Sequence, residues 1–440
     1  DVVKFSSSNI LIVDNKLSIE QLLAKDQSIV ADNCYLGEET LDYLELIDQI
    51  EIVFKSPGIW RLSSEFENIR SLKGKDSVQG ILAPFIELYG NQTIAVTGTK
   101  GKSTTCSYLM WLLKVALNDS NLSDLTKYSS ALRIGNTVNI SPYTYWKNLD
   151  KDYFSDTLFV LEVSSFQLQD LDIIYPKFLI SLITNYYIDH QNLHNSPKEY
   201  WASKDVIFKF SETNNIFCTE TVCQHTLAMD KIDKRSIFDE NEINLIKSYL
   251  YNPQQGRHFD VDLTLAFYAL LTVLGISLER NNIEQFLIQN SEKINATNKD
   301  FKNLEHRLEL VASTTIGNTK LYFIDDGAST VPISTKWALE NCLSKYEFTI
   351  LLLGGIAKTE DFSSIKELID ESNDSLLVLA SGEVAAKIGI KTTNTMRENI
   401  ASLKNIIDRV ILDKNPESMA VLLSPSGSSF DEYKNYTECA

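Results

Sequence analysis

The chain has 440 residues, of which 44% are hydrophobic and 23% charged, with 41 basic against 59 acidic side chains and a net charge of −18. That length exceeds one ordinary core and fits two to four domains, and the composition is that of a soluble globular protein. The acidic balance argues against a nucleic-acid partner, whose phosphates need clustered Lys and Arg, and no apolar run approaches the ~20 residues of a membrane span.

In chain order, short β-rich runs alternate with longer helical stretches, which predicts an α/β fold of parallel sheets covered by helices. Strands are predicted at Asn9 to Val13 and Glu51 to Phe54 in a first unit that closes near Tyr89-Gly90-Asn91. A second unit opens with the apolar strand Thr93 to Thr97, a Gly-rich turn and a helix from Ser103 to Val115, followed by strands at Thr157 to Leu161 and Phe178 to Thr184. After a helix at Asp262 to Leu274 and its successor, the Asn- and Lys-rich stretch Gln289 to Asn303 reads as a linker. A third unit carries strands at Leu321 to Ile324, Thr349 to Leu353, Ser375 to Leu379 and Met419 to Leu423. Each is followed within two residues by Gly, Asp or Ser at its C-terminal end, where open parallel sheets bind ligands. The expected domains are therefore residues 1–90, 91–302 and 303–440.

The six cysteines (Cys34, Cys106, Cys218, Cys223, Cys342, Cys439) form no CxxC pair and no zinc spacing, so a reduced, cytoplasmic compartment is the natural reading. The chain opens at Asp1 without a secretory signal, as a fragment or processed form would. Nothing in the pattern speaks for an oligomer, and a monomer is expected.

The string Thr97-Gly98-Thr99-Lys100-Gly101-Lys102-Ser103-Thr104 places GKS between a strand and a helix, the context of a phosphate-binding loop. The glycines let backbone N–H groups turn toward anionic oxygens, and the helix start adds its positive dipole end. Lys102 would neutralise the β and γ phosphates, and the Ser103 hydroxyl suits magnesium. A Gly-rich turn that binds nothing is the bland alternative. Val96 stands where a full Walker A motif wants a small residue, which separates this loop from generic motors and GTPases.

The order and spacing of TGTKGKSTT (from 97), LEVSSFQL (161–168), TNYYIDH (184–190), EYWASK (199–204), EHRLE (305–309), FIDDGAST (323–330), LLLGGIAK (351–358) and LLSPSGSSFDEYKNY (422–436) resemble the Mur ligases over residues 10 to 436. The resemblance implies three domains: a Rossmann-like N-terminal domain, a central P-loop ATPase domain with a parallel sheet, and a Rossmann-like C-terminal domain. It also implies an ATP-dependent ligase that activates a carboxylate as an acyl phosphate for attack by an amine. SSFQL, SPGI at 56–59 and FDEYKNY resemble the branch that adds D-glutamate to UDP-N-acetylmuramoyl-L-alanine in peptidoglycan synthesis.

By that resemblance, Ser103 and Glu162 hold one magnesium ion and His190 a second, with Lys204 as a carbamylated lysine. Without it, a strand-end Glu, a lone His and a helical Lys are more often a solvated, a capping and a surface residue. Asn136, Ser164 and Gln167 would contact the muramoyl part. Arg307 and Asp326 would face the nucleotide, with Asp262 near the adenine. Lys358, Thr330 and Ser429 would hold the carboxylates of D-glutamate, and Tyr436 closes the same signature. Asp14, Lys16, Ser56, Pro57 and Gly58 are candidates for the uridine nucleotide.

Some residues depart from the pattern. The chain starts after the place of the family's opening Gly-rich loop, so the uridine site is expected to lack that turn. Ala328 stands where some members carry a Lys, Gly327 replaces a Ser, and His258-Phe259 replaces an Asn-containing pair near the adenine. Two readings compete: another amide ligase of the superfamily, such as a folylpolyglutamate synthase, and a degenerate nucleotide-binding homologue without turnover.

Overall fold

The computed structural model describes residues 12–14, 34–36, 52–55, 64–135, 154–189, 194, 196–212, 215–233, 237–252, 254, 256–301, 304–372, 374–392 and 394–428. The first unit contributes two parallel pairs: β1 (Ile12–Asp14) with β2 (Cys34–Leu36), and β3 (Val53–Lys55) with β4 (Val78–Gly80).

The second unit is a parallel sheet of β5 (Thr93–Thr97), β6 (Ser130–Gly135), β7 (Thr157–Glu162), β8 (Ile180–Ile183), β9 (Ile216–Thr219) and β10 (Ile237–Phe238), in the order β10-β9-β8-β5-β7-β6. Its middle strands are continuous apolar runs because both faces are covered. Ile94, Val96, Leu158, Val160, Ile180 and Leu182 pack on one side, together with helices α1 (Lys102–Leu117) and α4 (Arg257–Val273). The alternating Ala95, Phe159, Leu161 and Ile183 pack on the other, with helices α2 (Ser165–Leu171) and α3 (Pro197–Lys209).

Gln289 to Asn303 is not a linker. Helix α5 (Arg280–Ala296) occupies most of it. Ile283, Phe286, Leu287, Asn290 and Ile294 lie on one buried face at helical spacing, and the polar residues that suggested a loop form the outer face. Some of the asparagines also tie the helix down: Asn295 accepts from the Tyr251 amide at 2.8 Å and donates to the Tyr249 carbonyl at 2.9 Å.

The third unit is a sheet of β11 (Glu309–Ile316), β12 (Thr319–Asp325), β13 (Phe348–Gly354), β14 (Leu376–Ala380) and β15 (Ser418–Ser426), ordered β11-β12-β15-β13-β14. Four strands run parallel, while β11 is an antiparallel edge strand joined to β12 by a tight turn at Gly317. Helix α6 (Pro332–Lys345) follows β12 and packs on β15. The α/β class and the strand positions expected in the second and third units match strands of these sheets, with ends shifted by at most three residues.

A buried ion pair joins the first unit to the second. Lys55 at the end of β3 donates to Asp170 of α2 at 2.7 Å, with both side chains 2% exposed. Gly80 of β4 sits directly against this pair: a Cβ there would lie 2.6 Å from the Asp170 Cβ. Breaking a buried pair leaves an uncompensated charge, so Lys55→Met should lower the unfolding free energy by about 3–5 kcal/mol. Urea denaturation checks it, and a loss below ~1 kcal/mol would mean that the pair is solvated.

Candidate active site

Three adjacent strands, β7, β5 and β8, end at the same level, because Val96 pairs with Glu162 and Thr97 with Ile183. The topology therefore brings the turn after β5, the carboxylate at the end of β7 and the segment after β8 to one edge, where parallel sheets place ligands.

The turn is held open by its glycines. Gly98 (φ 142°) and Gly101 (φ 85°) adopt backbone angles that L side chains rarely take. Each also meets a close neighbour: a Cβ on Gly98 would lie 1.9 Å from Thr184 Oγ1, and one on Gly101 2.3 Å from Asp262 Oδ1. The segment after β8 laces the turn in place. Thr99 N–H donates to the Asn185 carbonyl at 3.0 Å, and Lys100 N–H donates to Asn185 Oδ1 at 3.0 Å. The Lys100 carbonyl in turn accepts from Asn185 Nδ2 at 3.1 Å and from the Thr184 hydroxyl. Thr99 Oγ1 exchanges hydrogen bonds with the Tyr187 backbone.

Inside this cradle, Lys102 Nζ donates to the carbonyls of Gly98 and Thr99, both at 3.0 Å. Lys204 reaches the same Gly98 carbonyl from α3 at 3.0 Å, with its Nζ 4.5 Å from the centre of the Tyr200 ring. Lys204 is only 1% exposed, so burial, reinforced by the Lys102 charge, holds its pKa well below the usual lysine range. Burial also lowers Lys102, with Glu162 and Asp189 opposing.

Ser103 Oγ donates to Glu162 Oε1 at 2.9 Å, and Glu162 is 2% exposed. Arg133 of β6 braces this pair, lying 3.4 Å from Glu162 Oε2 and donating to the Ser103 carbonyl at 3.2 Å and to Ser107 at 2.7 Å.

The third unit faces the turn. Asp326, just past β12, accepts from Ser424 Oγ at 2.8 Å and from the Leu308 amide at 3.2 Å, and burial pushes its pKa up to about 6. Thr330 accepts from Lys358 Nζ at 3.2 Å and from Lys100 Nζ, across the boundary between the units, at 3.2 Å. A cavity of about 500 Å³, within the size range of small-molecule sites, lies between the two sheets. Lys100, Gly101, Thr104, Asp262, Arg307 and Asp326 line it, and so do His258 and Trp337, whose rings stack at 5.0 Å.

The structure thus gathers Gly98, Thr99, Lys100, Gly101, Lys102, Ser103, Thr104, Glu162, Lys204, Asp262, Arg307, Asp326, Thr330 and Lys358 around one region. Ser164 and Gln167 sit beside it but are already engaged locally, since Ser164 caps α2 and Gln167 closes the capping box by accepting from the Ser164 amide at 2.9 Å. Asp14 lies at the end of β1, and nothing of its side chain is described. Lys16, Ser56, Pro57, Gly58, Asn136, His190, Ser429 and Tyr436 lie outside the described residues. Sequence reasoning missed Arg133, Asn185 and Trp337. Asn185 was legible as the second residue of the TNYYIDH string, whereas Arg133 lies on a strand that was not predicted.

Residues 96–263 match the Mur ligase middle domain. The central unit therefore carries a Mur ligase middle domain. The match spans the phosphate loop, Glu162, Lys204 and Asp262. The UDP-N-acetylmuramoylalanine--D-glutamate ligase of Borreliella afzelii is 28% identical over 95% of this chain and 86% of its own length. The enzyme of the same name from Aquifex aeolicus is 25% identical over 92% and 90%. Among solved structures, MurF from Acinetobacter baumannii has 16% identity and a TM-score of 0.53, covering 81% of this chain and 78% of its own. Folylpolyglutamate synthase from Mycobacterium tuberculosis, complexed with ADP and AMPPCP, has 15% identity and a TM-score of 0.50 over 78% and 92%. These two likenesses establish the Mur ligase fold. Among the described residues no helix is long and apolar enough to cross a membrane.

The donor set of this site suits magnesium at one position. Ser103 and Glu162 offer buried oxygen donors of the kind a hard cation takes. The Lys204 amine does not fit a cation as it stands, and it becomes an oxygen donor only as a carbamate. Its displacement toward the neutral form is what carbamylation requires, since an ammonium has no free lone pair.

Proposed function

We propose that this Mur ligase uses ATP to join D-glutamate to UDP-N-acetylmuramoyl-L-alanine through an acyl-phosphate intermediate in peptidoglycan synthesis. One observation carries the reading. The phosphate turn and the Lys358–Thr330 pair belong to different sheets, yet Lys100 hydrogen-bonds directly between them, so phosphate chemistry and amine capture share one space. A kinase or plain ATPase has no need of a second set of anion-binding residues there. The names of the curated relatives supply the two substrates.

In this reading residues 1–90 bind the uridine nucleotide, 91–302 bind ATP, and 303–440 bind the amino acid and close on the nucleotide. Lys102 sits where β and γ phosphates would rest, and Lys358 and Thr330, with Ser429, take the carboxylates of D-glutamate. Magnesium held by Ser103 and Glu162, with His190 and carbamylated Lys204 for a second ion, would neutralise phosphate charge. Arg133 keeps Glu162 aimed at Ser103, and Asp326, half-protonated near pH 6, faces the ribose end of the cavity.

The test is ADP release with UDP-N-acetylmuramoyl-L-alanine while the amino acid is varied. D-Glutamate should stimulate release well above background. Stimulation by another amino acid alone would overturn the D-glutamate assignment, and stimulation by a folate substrate with L-glutamate would move the chain to the folylpolyglutamate branch.

A further inference from the structure

We infer that Lys100 binds a carboxylate of the incoming amino acid jointly with Lys358, across the Thr330 hydroxyl, instead of serving the nucleotide; this rests on the ligase reading above. The backbone of Lys100 belongs to the phosphate turn and is pinned there by Asn185 on both its amide and its carbonyl. Its side chain, however, leaves the turn. It crosses to a residue 230 positions away and donates to Thr330 Oγ1 at 3.2 Å, the atom to which Lys358 also donates at 3.2 Å.

That arrangement is electrostatically incomplete. A hydroxyl has two acceptor lone pairs and one proton. With both lone pairs taken by amines, the Thr330 proton can only be donated outward, so all three groups present donors to the same space. Two amino groups converging on one neutral oxygen repel when both are charged. Asp189 Oδ2 stands 4.0 Å from Lys100 Nζ, outside hydrogen-bond range, and so compensates only in part. Burial first, and then the charges of Lys358, Lys102 and Arg307 against the opposing pull of Asp189, bring Lys100 down to about 7. A carboxylate placed among two amines and a hydroxyl accepts charge-assisted hydrogen bonds from all three and removes the repulsion.

The division of labour between the two lysines of the turn points to the amino acid and away from phosphate. Lys102 folds back over the turn onto the Gly98 and Thr99 carbonyls, where phosphate oxygens would sit, whereas Lys100 aims at the other sheet.

The test compares wild type with Lys100→Met, which keeps the aliphatic stem, and with Lys100→Arg, which restores the charge. In Lys100→Met the KM for D-glutamate should rise about 10-fold or more while the KM for ATP moves by no more than about 2-fold, and Lys100→Arg should recover most of the loss. ADP binding by the Met variant, followed by fluorescence, shows that its turn still folds. An unchanged KM for D-glutamate overturns the inference, and so does a KM for ATP that rises as much, because Lys100 would then be reading phosphate. If wild type turns over with a different amino acid, only the D-glutamate assignment fails, and Lys100 is judged on the KM for that amino acid. If no amino acid supports ADP release, the ligase reading and this inference fall together.

Discussion

Lys102→Ala is expected to lower kcat by ~10³-fold or more, the scale of removing a preorganised charge from a water-poor site. The Lys102 amine is seated within the turn itself, bonded to two of its carbonyls. Without it, phosphate charge developing during transfer loses its partner at that point, and the carbonyls of Gly98 and Thr99 face the nucleotide's own negative oxygens. The variant should still fold, because Asn185 and Thr184 hold the turn independently of the Lys102 side chain. Circular dichroism and single-turnover ADP release separate the two outcomes. A variant that folds and retains turnover within about 10-fold of wild type would remove the turn from the chemistry.

Lys204→Ala should silence the enzyme by a comparable factor without the stability loss that removing a fully buried side chain usually brings. An amine held far from water with Lys102 sharing its acceptor is an electrostatic burden on the fold, and taking it away relieves that burden while leaving a cavity. The two effects oppose, so the melting temperature should move little as activity collapses. Bicarbonate and short carboxylates give the sharper reading. If the residue acts as an oxygen donor, formate or acetate should restore part of the turnover of Lys204→Ala but none of that of Lys102→Ala. An active Lys204→Ala enzyme would assign this lysine a purely structural place.

The central strands of the second and third sheets are legible because parallel strands buried on both faces read as continuous apolar runs, as at Thr93 to Thr97 and Thr349 to Leu353, whereas β6, β9 and β10 were not predicted. β11 was not legible, since its residues are almost all exposed and its only instruction is the turn at Gly317 that pairs it with β12. Helix α5 was misread because the composition of its outer face hid a periodic inner one. At the site, residues belonging to a contiguous string, such as Lys102 and Ser103, could be named from sequence with a physical role. Lys204 could be named only by resemblance, because burial of a helical lysine is decided by what packs over it. The bond from Lys100 to Thr330 depends on how two sheets face each other, which no local pattern encodes.

The lacing of the phosphate turn by Asn185, Thr184 and Tyr187 has a thermodynamic consequence. A glycine-rich segment free in solution would surrender ~1–2 kcal/mol per residue of backbone entropy on being ordered around a ligand. Here that ordering happens during folding, when β8 pairs beside β5 and its following residues reach over. Nucleotide therefore meets a rigid receptor, and its association with the turn itself should proceed without a slow isomerisation. Any sluggish, saturable step in binding belongs to the approach of the third sheet.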